Sequence, residues 1–139
     1  MRIRTAATEI RTPAKVAVVN VTAEVGRALA QVSIRQGMAL ISVPHTTCGV
    51  CVNEDETGLR EDFVRLASHL LDPLERQGPF GHDRVDDNAR AHLSSILIGH
   101  ATMLPVSEGR LGLGTWQSLF LLEMDGPRDR RLEMTFVGE

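Results

Sequence analysis

Between residues 44 and 54 the chain reads PHTTCGVCVNE, and this stretch holds both of its cysteines in a C-x-x-C spacing. Such a pair suits a redox dithiol or half of a zinc site, so each reading can be tested on local geometry. A thioredoxin-type dithiol needs its first Cys at a helix N-terminus, where the dipole lowers the thiol pKa. Here Val52 and Asn53 follow the second Cys, and helical patterning resumes only near Thr57. In an extended segment Cys48 and Cys51 stand about 10 Å apart at roughly 3.3 Å per residue, whereas a disulfide wants Cα atoms about 4.4–6.8 Å apart. The two also point to opposite faces of a strand. A structural zinc site usually shows two ligand pairs, and no second C-x-x-C or H-x-x-x-H occurs. Cys48 is therefore expected to be a small buried hydrophobe. Cys51 shares a face with Asn53 and is a candidate pocket-lining thiol.

With the thiols set aside, a second group of polar residues remains that strand and helix formation do not require. It comprises His45, Thr46, Thr47, Asn53, Glu54, His82, Asp83, Asp86, Asp87, Asn88, His92, Thr115 and Gln117. Histidines with carboxylates are the material of a divalent-metal or general acid–base site. Each has a plainer alternative: Asp86 or Asp87 as a helix cap, His92 as a hydrogen-bonded helical histidine. His69 and His100, with no acidic neighbours in sequence, are assigned structural roles only.

Elements must position these groups, and the patterning predicts them. Residues 2–10 and 15–22 read as strands, followed by a helix from about Ala23 to Arg35 and a strand over 38–43. CGVCVN (48–53) is a strand. Thr57 to Leu71 is an amphipathic helix carrying Leu59, Phe63, Leu66 and Leu70, with Thr57 in the N-cap place. A long loop runs to about Asp86, and loops of that length are commonly functional. Asp86-Asp87 then start a helix that Gly99 stops. Strands over 101–106, 110–124 and 131–137 close the chain, with Thr115-Trp116-Gln117 interrupting the second. The order argues for an α+β fold: one compact domain with a largely antiparallel sheet and three helices.

The 139 residues suffice for one domain with a real core. Hydrophobic residues make up 42% and charged residues 24%, and the net charge is −3 with Arg and Lys dispersed. No basic face argues for nucleic acid, although local arginines suit a small anion. No apolar run approaches the roughly 18 residues of a membrane span, and MRIRTAATEIR lacks the apolar core of a signal peptide. A cytoplasmic setting with reduced thiols is expected.

Three ordered blocks resemble one family along the whole chain. PHTTCGVCVNEDE is similar to the His-Thr-Thr/Ser…Asn-Glu block of the YjbQ family, GHDRVDDNARAHLSSILIG to its His-Asp…Asp-Asp-x-x-x-His block, and LPVSEGRLGLGTWQSLFLLEMDGPRDRR to its Leu-Pro-Val…Gly-Thr-Trp-Gln signature. Members are sometimes labelled secondary thiamine-phosphate synthases. The resemblance implies a compact α+β subunit in a homotrimer, with the block residues gathered in a cleft that takes a small phosphorylated or anionic ligand. His45, Glu54, Asp87 and His92 are then expected to do chemistry, and Thr47, Asn53, Arg110, Thr115, Trp116 and Gln117 to bind substrate. His45, His82, Asp86, Asp87 and His92 are candidate ligands for a divalent metal, Mg or Zn. The oxygens of Asp86, Asp87 and Glu54 suit Mg²⁺, the imidazoles suit zinc or proton transfer, and Arg110 or Arg84 suits phosphate.

The implied reaction joins a pyrimidine-methyl pyrophosphate to a thiazole phosphate with loss of pyrophosphate. Alternatives are a non-enzymatic metabolite- or metal-binding trimer, a metal-dependent enzyme with another substrate, and thiol-based sensing. Two departures stand out: Cys48 and Cys51 replace residues that are often Ala and Thr in relatives, and the segment between Asp83 and Asp86 is short. One geometric expectation concerns His45 and Asn53, which a straight strand would hold about 26 Å apart at roughly 3.3 Å per residue. Any pocket holding both is expected at a subunit interface, and separate surroundings within one chain would overturn that idea.

Overall fold

The apolar runs of the sequence become eight strands and four helices in the computed structural model, which describes residues 1–139. In chain order these are β1 (Arg2–Arg11), β2 (Ala17–Asn20), α1 (Thr22–Val32), β3 (Gly37–Ser42), β4 (Cys48–Glu54), α2 (Thr57–His69), the single turn α3 (Asp72–Glu75), α4 (Ala89–Ile98), β5 (Ala101–Ser107), β6 (Arg110–Leu111), β7 (Gln117–Glu123) and β8 (Asp129–Gly138). A 3-10 turn at Gly81–Arg84 lies between α3 and α4. All pairings are antiparallel, in a five-stranded sheet ordered β1-β8-β3-β5-β6 and a three-stranded sheet ordered β2-β7-β4. The α+β expectation holds.

The sequence of β7 explains the layering. Leu119, Phe120, Leu121 and Leu122 are all buried, so this strand has two covered faces and does not alternate in polarity. Leu119 and Leu121 join a cluster of 18 buried residues that includes Val25 and Leu29 of α1, Ile41 of β3 and Phe136 of β8. Phe120 and Leu122 face the other way, toward α2. The same division runs through β4. Cys48 and Val50 enter the common core, while Gly49 lies against the end of α4 and Cys51 faces α2.

Several boundaries differ from the expected ones, each for a side-chain reason. β2 ends at Asn20 rather than Thr22, because Asn20 Oδ1 accepts the Thr22 N–H at 2.9 Å and turns the chain into α1. The Thr22 hydroxyl in turn accepts the Leu119 N–H at 2.8 Å. α1 stops at Val32, where Ser33 takes the left-handed conformation at φ 56°. The cap of α2 is Glu56, not Thr57: its carboxylate accepts the N–H groups of Gly58 and Leu59 at 2.8 and 2.7 Å. Those bonds hold the Glu56 carboxyl below its usual range. The long loop after α2 is partly ordered by α3, which Arg90 of α4 seats through Asp72 at 2.6 Å and through Glu75.

The expected strand over 110–124 is broken. After two residues of β6 the chain loops out through Gly112–Trp116, and Gln117 closes the loop by accepting the Gly114 N–H on its side-chain oxygen at 2.8 Å. No helix is long and apolar enough to cross a membrane.

Candidate functional site

Five residues, 43–47, link β3 to β4, and strand β8 holds them in place. Arg130 is 4% exposed and Glu123 fully buried, and the two form a bidentate ion pair at 2.7 and 2.6 Å. Burial pushes the Glu123 carboxyl up, but hydrogen bonds from Arg130, the Asp125 N–H and Thr12 hold it below the ordinary value. The Thr12 hydroxyl donates to Glu123 Oε2 at 2.8 Å, and the N–H groups of Met124 and Asp125 donate to Oε1 at 2.9 Å each. The remaining reach of Arg130 goes to the Thr47 hydroxyl at 2.8 Å. Thr47, expected as a substrate-binding residue, is thus placed as a buried anchor of this connection.

The next residue of β8 fixes His45. The Arg131 N–H donates to His45 Nε2 at 2.9 Å. That bond occupies the lone pair of Nε2, so the neutral ring carries its proton on Nδ1. Burial, then the nearby Arg130 charge, lower the His45 pKa from its ordinary 6.5 despite opposing pulls from Glu123, Glu9 and Glu133. In this arrangement His45 is a hydrogen-bond donor, and its Nε2 is closed to a metal and to a proton.

A second set of imidazoles sits on and before α4. The rings of His82 and His92 meet edge to face, with centroids 4.7 Å apart and planes at 68°. His82 Nε2–H donates to Asn88 Oδ1 at 3.0 Å, and the Asn88 amide donates to Asp125 Oδ2 at 3.1 Å. Arg128 completes the chain with a 2.8 Å bond to the same Asp125 oxygen. Burial raises the Asp125 carboxyl, but the bonds from Asn88 and Arg128 outweigh it and leave the value lowered. This relay leaves Nδ1 as the acceptor atom of His82.

Asp86 and Asp87 do not cap α4 as expected. Asn88 occupies the N-cap position without a side-chain cap bond, Asp86 Oδ1 accepts the Asp87 N–H at 2.8 Å, and Asp87 borders a separate cavity with Lys15, Arg90 and Asp125.

Between the 43–46 loop and α4 opens a cleft of about 490 Å³, lined by His45, Thr46, His92, Ser95 and His100 among others. His100 was given only a structural role from sequence, yet it lines this cleft. The signal available was its position directly after the helix stop Gly99, where the main chain turns back past β3; its carbonyl accepts the Val43 N–H at 2.9 Å. Ser95 ties α4 to the start of β4 by donating to the Cys48 carbonyl at 3.0 Å. His69 stays outside, paired with Asp72 at 3.0 Å.

The remaining candidates gather elsewhere. Asn53 and Glu54 end β4, opposite Ser118 and Gln117 of β7. They border a cavity beneath α2, and Asn53 Oδ1 accepts the Glu54 N–H at 2.8 Å. Thr115 and Trp116 lie in the exposed loop before β7, and Trp116 is 73% exposed. Arg110 pairs with Glu108 at 3.0 Å on the surface, and Arg84 is exposed in the 3-10 turn. His45 and Asn53 thus line different cavities of one chain, so a pocket holding both would need contributions from two subunits. The oxygen set Asp86, Asp87 and Glu54 is likewise divided. No three His, Cys, Asp or Glu side chains are grouped as metal ligands in the chain.

The cysteines behave as strand parity requires. Cys48 is fully buried between the sheets, and burial pushes its thiol up to about 11. Cys51 is half-buried on the opposite face, lines the cavity beneath α2, and has a thiol also raised by burial. Neither environment makes a thiolate nucleophile, which needs a lowered pKa.

Two antiparallel sheets around one core, with a histidine-lined cleft between a strand connection and a helix, define the class of this α+β protein. The profile of the UPF0047 protein YjbQ-like family matches residues 6–139, and the chain belongs to that family. It is 41% identical over 127 residues to a UPF0047 protein of Archaeoglobus fulgidus, covering 88% of this chain and 93% of that one. A Methanothermobacter thermautotrophicus UPF0047 protein is 34% identical over 139 residues, covering 100% and 95%. Among solved structures, a hypothetical protein from Aeropyrum pernix K1 superposes with a TM-score of 0.91 at 41% identity, covering 98% of this chain and 99% of its own. A YbjQ-like protein of unknown function from Sulfolobus solfataricus P2 gives 0.92 at 34% identity, covering 99% of each.

Proposed function

We propose that the cleft between the 43–46 loop and α4 binds a small phosphorylated or otherwise anionic metabolite through its histidines. One observation carries this reading: the Arg131 N–H locks Nε2 of His45 and so presents Nδ1–H as a fixed donor. A donor held in advance binds an anion without paying for its own orientation on ligand entry. His92 and His100 line the same cleft and add two further imidazoles. His82, held on Asn88 and in contact with His92, keeps a free ring nitrogen that suits proton transfer.

The thiamine-phosphate-forming transfer implied by the resemblance asks more than binding. It asks for compensation of the charge that builds on a departing pyrophosphate. The expected Mg²⁺ carboxylates do not stand together in one chain, nor does a three-residue zinc set. Within one chain a transfer at this cleft relies on imidazole N–H groups and is expected to be slow, so ligand binding is the primary role.

A cytoplasmic homotrimer is part of the same proposal. Its support is the open face of the five-stranded sheet, where Met38 and Leu40 of β3, Met103 of β5 and, across β8, Ile3 of β1 are exposed. Apolar patches of this kind mark interaction surfaces.

The test is a titration of the purified protein with inorganic phosphate and pyrophosphate, following the histidine ring protons by NMR, with parallel incubation of the two thiamine precursors with and without Mg²⁺. Saturable shifts at His45 and His92, absent in His92→Ala, support binding. Product formed above the His92→Ala control supports the transferase. Unchanged histidine signals at millimolar anion would sink both.

A further inference from the structure

Helix α2 does not close onto the sheet below it. Its apolar face carries Leu59, Phe63 and Leu66, yet none of its residues is buried. Between that face and the three-stranded sheet lies a cavity of about 300 Å³, on the opposite side of the core's sheet from Cys48 and apart from the histidine cleft. Val18, Phe120 and Leu122 form its floor, and the Cys51 side chain opens into it. The space opens to solvent past Asn53, Glu54 and Asp62, while its apolar floor and the α2 side chains above it lack partner atoms and forfeit dispersion contacts.

The helix is held off by a strut. Asn20 Nδ2 donates to Asp55 at 2.7 Å, Asp55 pairs with Arg60 Nε at 2.6 Å, and the Arg60 guanidinium stands over the Phe120 ring at 5.6 Å. This Asn20–Asp55–Arg60 line fixes the first turns of α2 to the edge strand β2 with the guanidinium wedged between helix and floor. A polar spacer inserted at an amphipathic interface keeps space open instead of filling it.

We propose that the cavity beneath α2 is a second binding site, for a small planar bicyclic aromatic molecule bearing one polar group. Size supports a bicycle, since a dry cavity of about 150 Å³ takes benzene. Chemistry supports a flat π-system: the Phe63 and Phe120 rings line the space, and the Arg60 guanidinium over Phe120 offers a cation beside it. The polar group meets the rim at Asn53, whose side-chain oxygen is taken by the Glu54 N–H, leaving its amide N–H groups as donors.

Cys51 supplies the reporter, because Cys48 is fully buried and only Cys51 faces this space. Alkylation of the folded protein by N-ethylmaleimide is measured with and without indole. Indole at about ten times its dissociation constant slows Cys51 modification roughly tenfold if the cavity is its site. In Leu66→Trp, where the new ring fills the cavity, the indole effect disappears. Methyl NMR on the wild-type protein gives a second readout that does not depend on that variant folding: indole moves the Leu59 and Leu66 signals and leaves Ile96, at the histidine cleft, in place. Unprotected Cys51, equal protection in a folded Leu66→Trp, or shifts at Ile96 in place of Leu66 each overturn the proposal.

Discussion

The backbone N–H of Arg131 donates to Nε2 of His45 at 2.9 Å, and through that bond a β-strand decides which nitrogen of a loop histidine can meet a ligand. Protonating Nε2 must break the bond, in keeping with the lowered His45 pKa that burial and Arg130 produce.

A pH dependence of stability follows. Below the ordinary pKa of 6.5 the unfolded imidazole takes up a proton that the folded ring refuses. The contribution of this group is therefore complete above pH 6.5 and is lost as pH falls toward and through the lower folded value. Urea denaturation at pH 8, 6 and 5 is expected to show wild-type stability falling more steeply than that of His45→Ala.

Removing one member of the buried ion pair should be far more damaging than losing a surface bridge. Arg130→Met leaves Glu123 buried without its cation and frees Thr47, for an expected loss of about 3–5 kcal/mol. Equilibrium unfolding in urea measures it. Since the 43–47 connection loses its anchor, anion binding at the cleft should weaken in the same variant under conditions where it remains folded.

Asn88 is expected to act as a positioning residue for His82. Nitrogen chemical shifts of the His82 ring should report a single Nε2–H tautomer in the wild type and a mixture in Asn88→Ala, because the acceptor at 3.0 Å is gone. A purely structural role for Asn88 predicts no change in that tautomer balance in folded protein.

The approach of β4 to α4 tolerates no side chain at Gly49. A Cβ there would lie 2.6 Å from the Gly99 carbonyl oxygen and 2.7 Å from Ile98 Cγ2. Gly49→Ala should cost about 1–3 kcal/mol by overpacking, read as a lowered midpoint in thermal unfolding.

Thiol counting provides a direct check on the cysteine pair. With Cys48 fully buried and Cys51 half-buried, a thiol reagent should titrate one group in the folded protein and two in denaturant. Fewer than two in denaturant would mean the pair is oxidised, which the strand geometry opposes.

Features with a local period were legible in the sequence. The two-residue period of β4 puts Cys48 in the core and Cys51 with Asn53 on the other face, where both border the same cavity. The 3.6-residue period located α2. What local patterning could not supply is which ends of which strands meet. His45 and Asn53 belong to one sequence block but to opposite ends of the β4 region, and their blocks find different neighbours. The anchors of the cleft come from afar: Thr47 meets Arg130 at a separation of 83 residues, and Thr12 meets Glu123 at 111. A hint was present in LFLLEMDGPRDR, where an acid ends an apolar strand and an arginine begins its return. A charge at such a buried position needs a partner, and the turn places one opposite it.

Strand β4 is a party wall. Within three residues, Gly49 seats the helix that bears His92, Val50 plugs the core, and Cys51 looks into the chamber under α2. Each chamber also has walls of its own: the 43–46 loop and α4 for the histidine cleft, α2 with Val18 and Leu122 for the other. Redesign of either one is best written into those private walls, since a change of twist in β4 moves the seat of α4 and the side of the α2 chamber together.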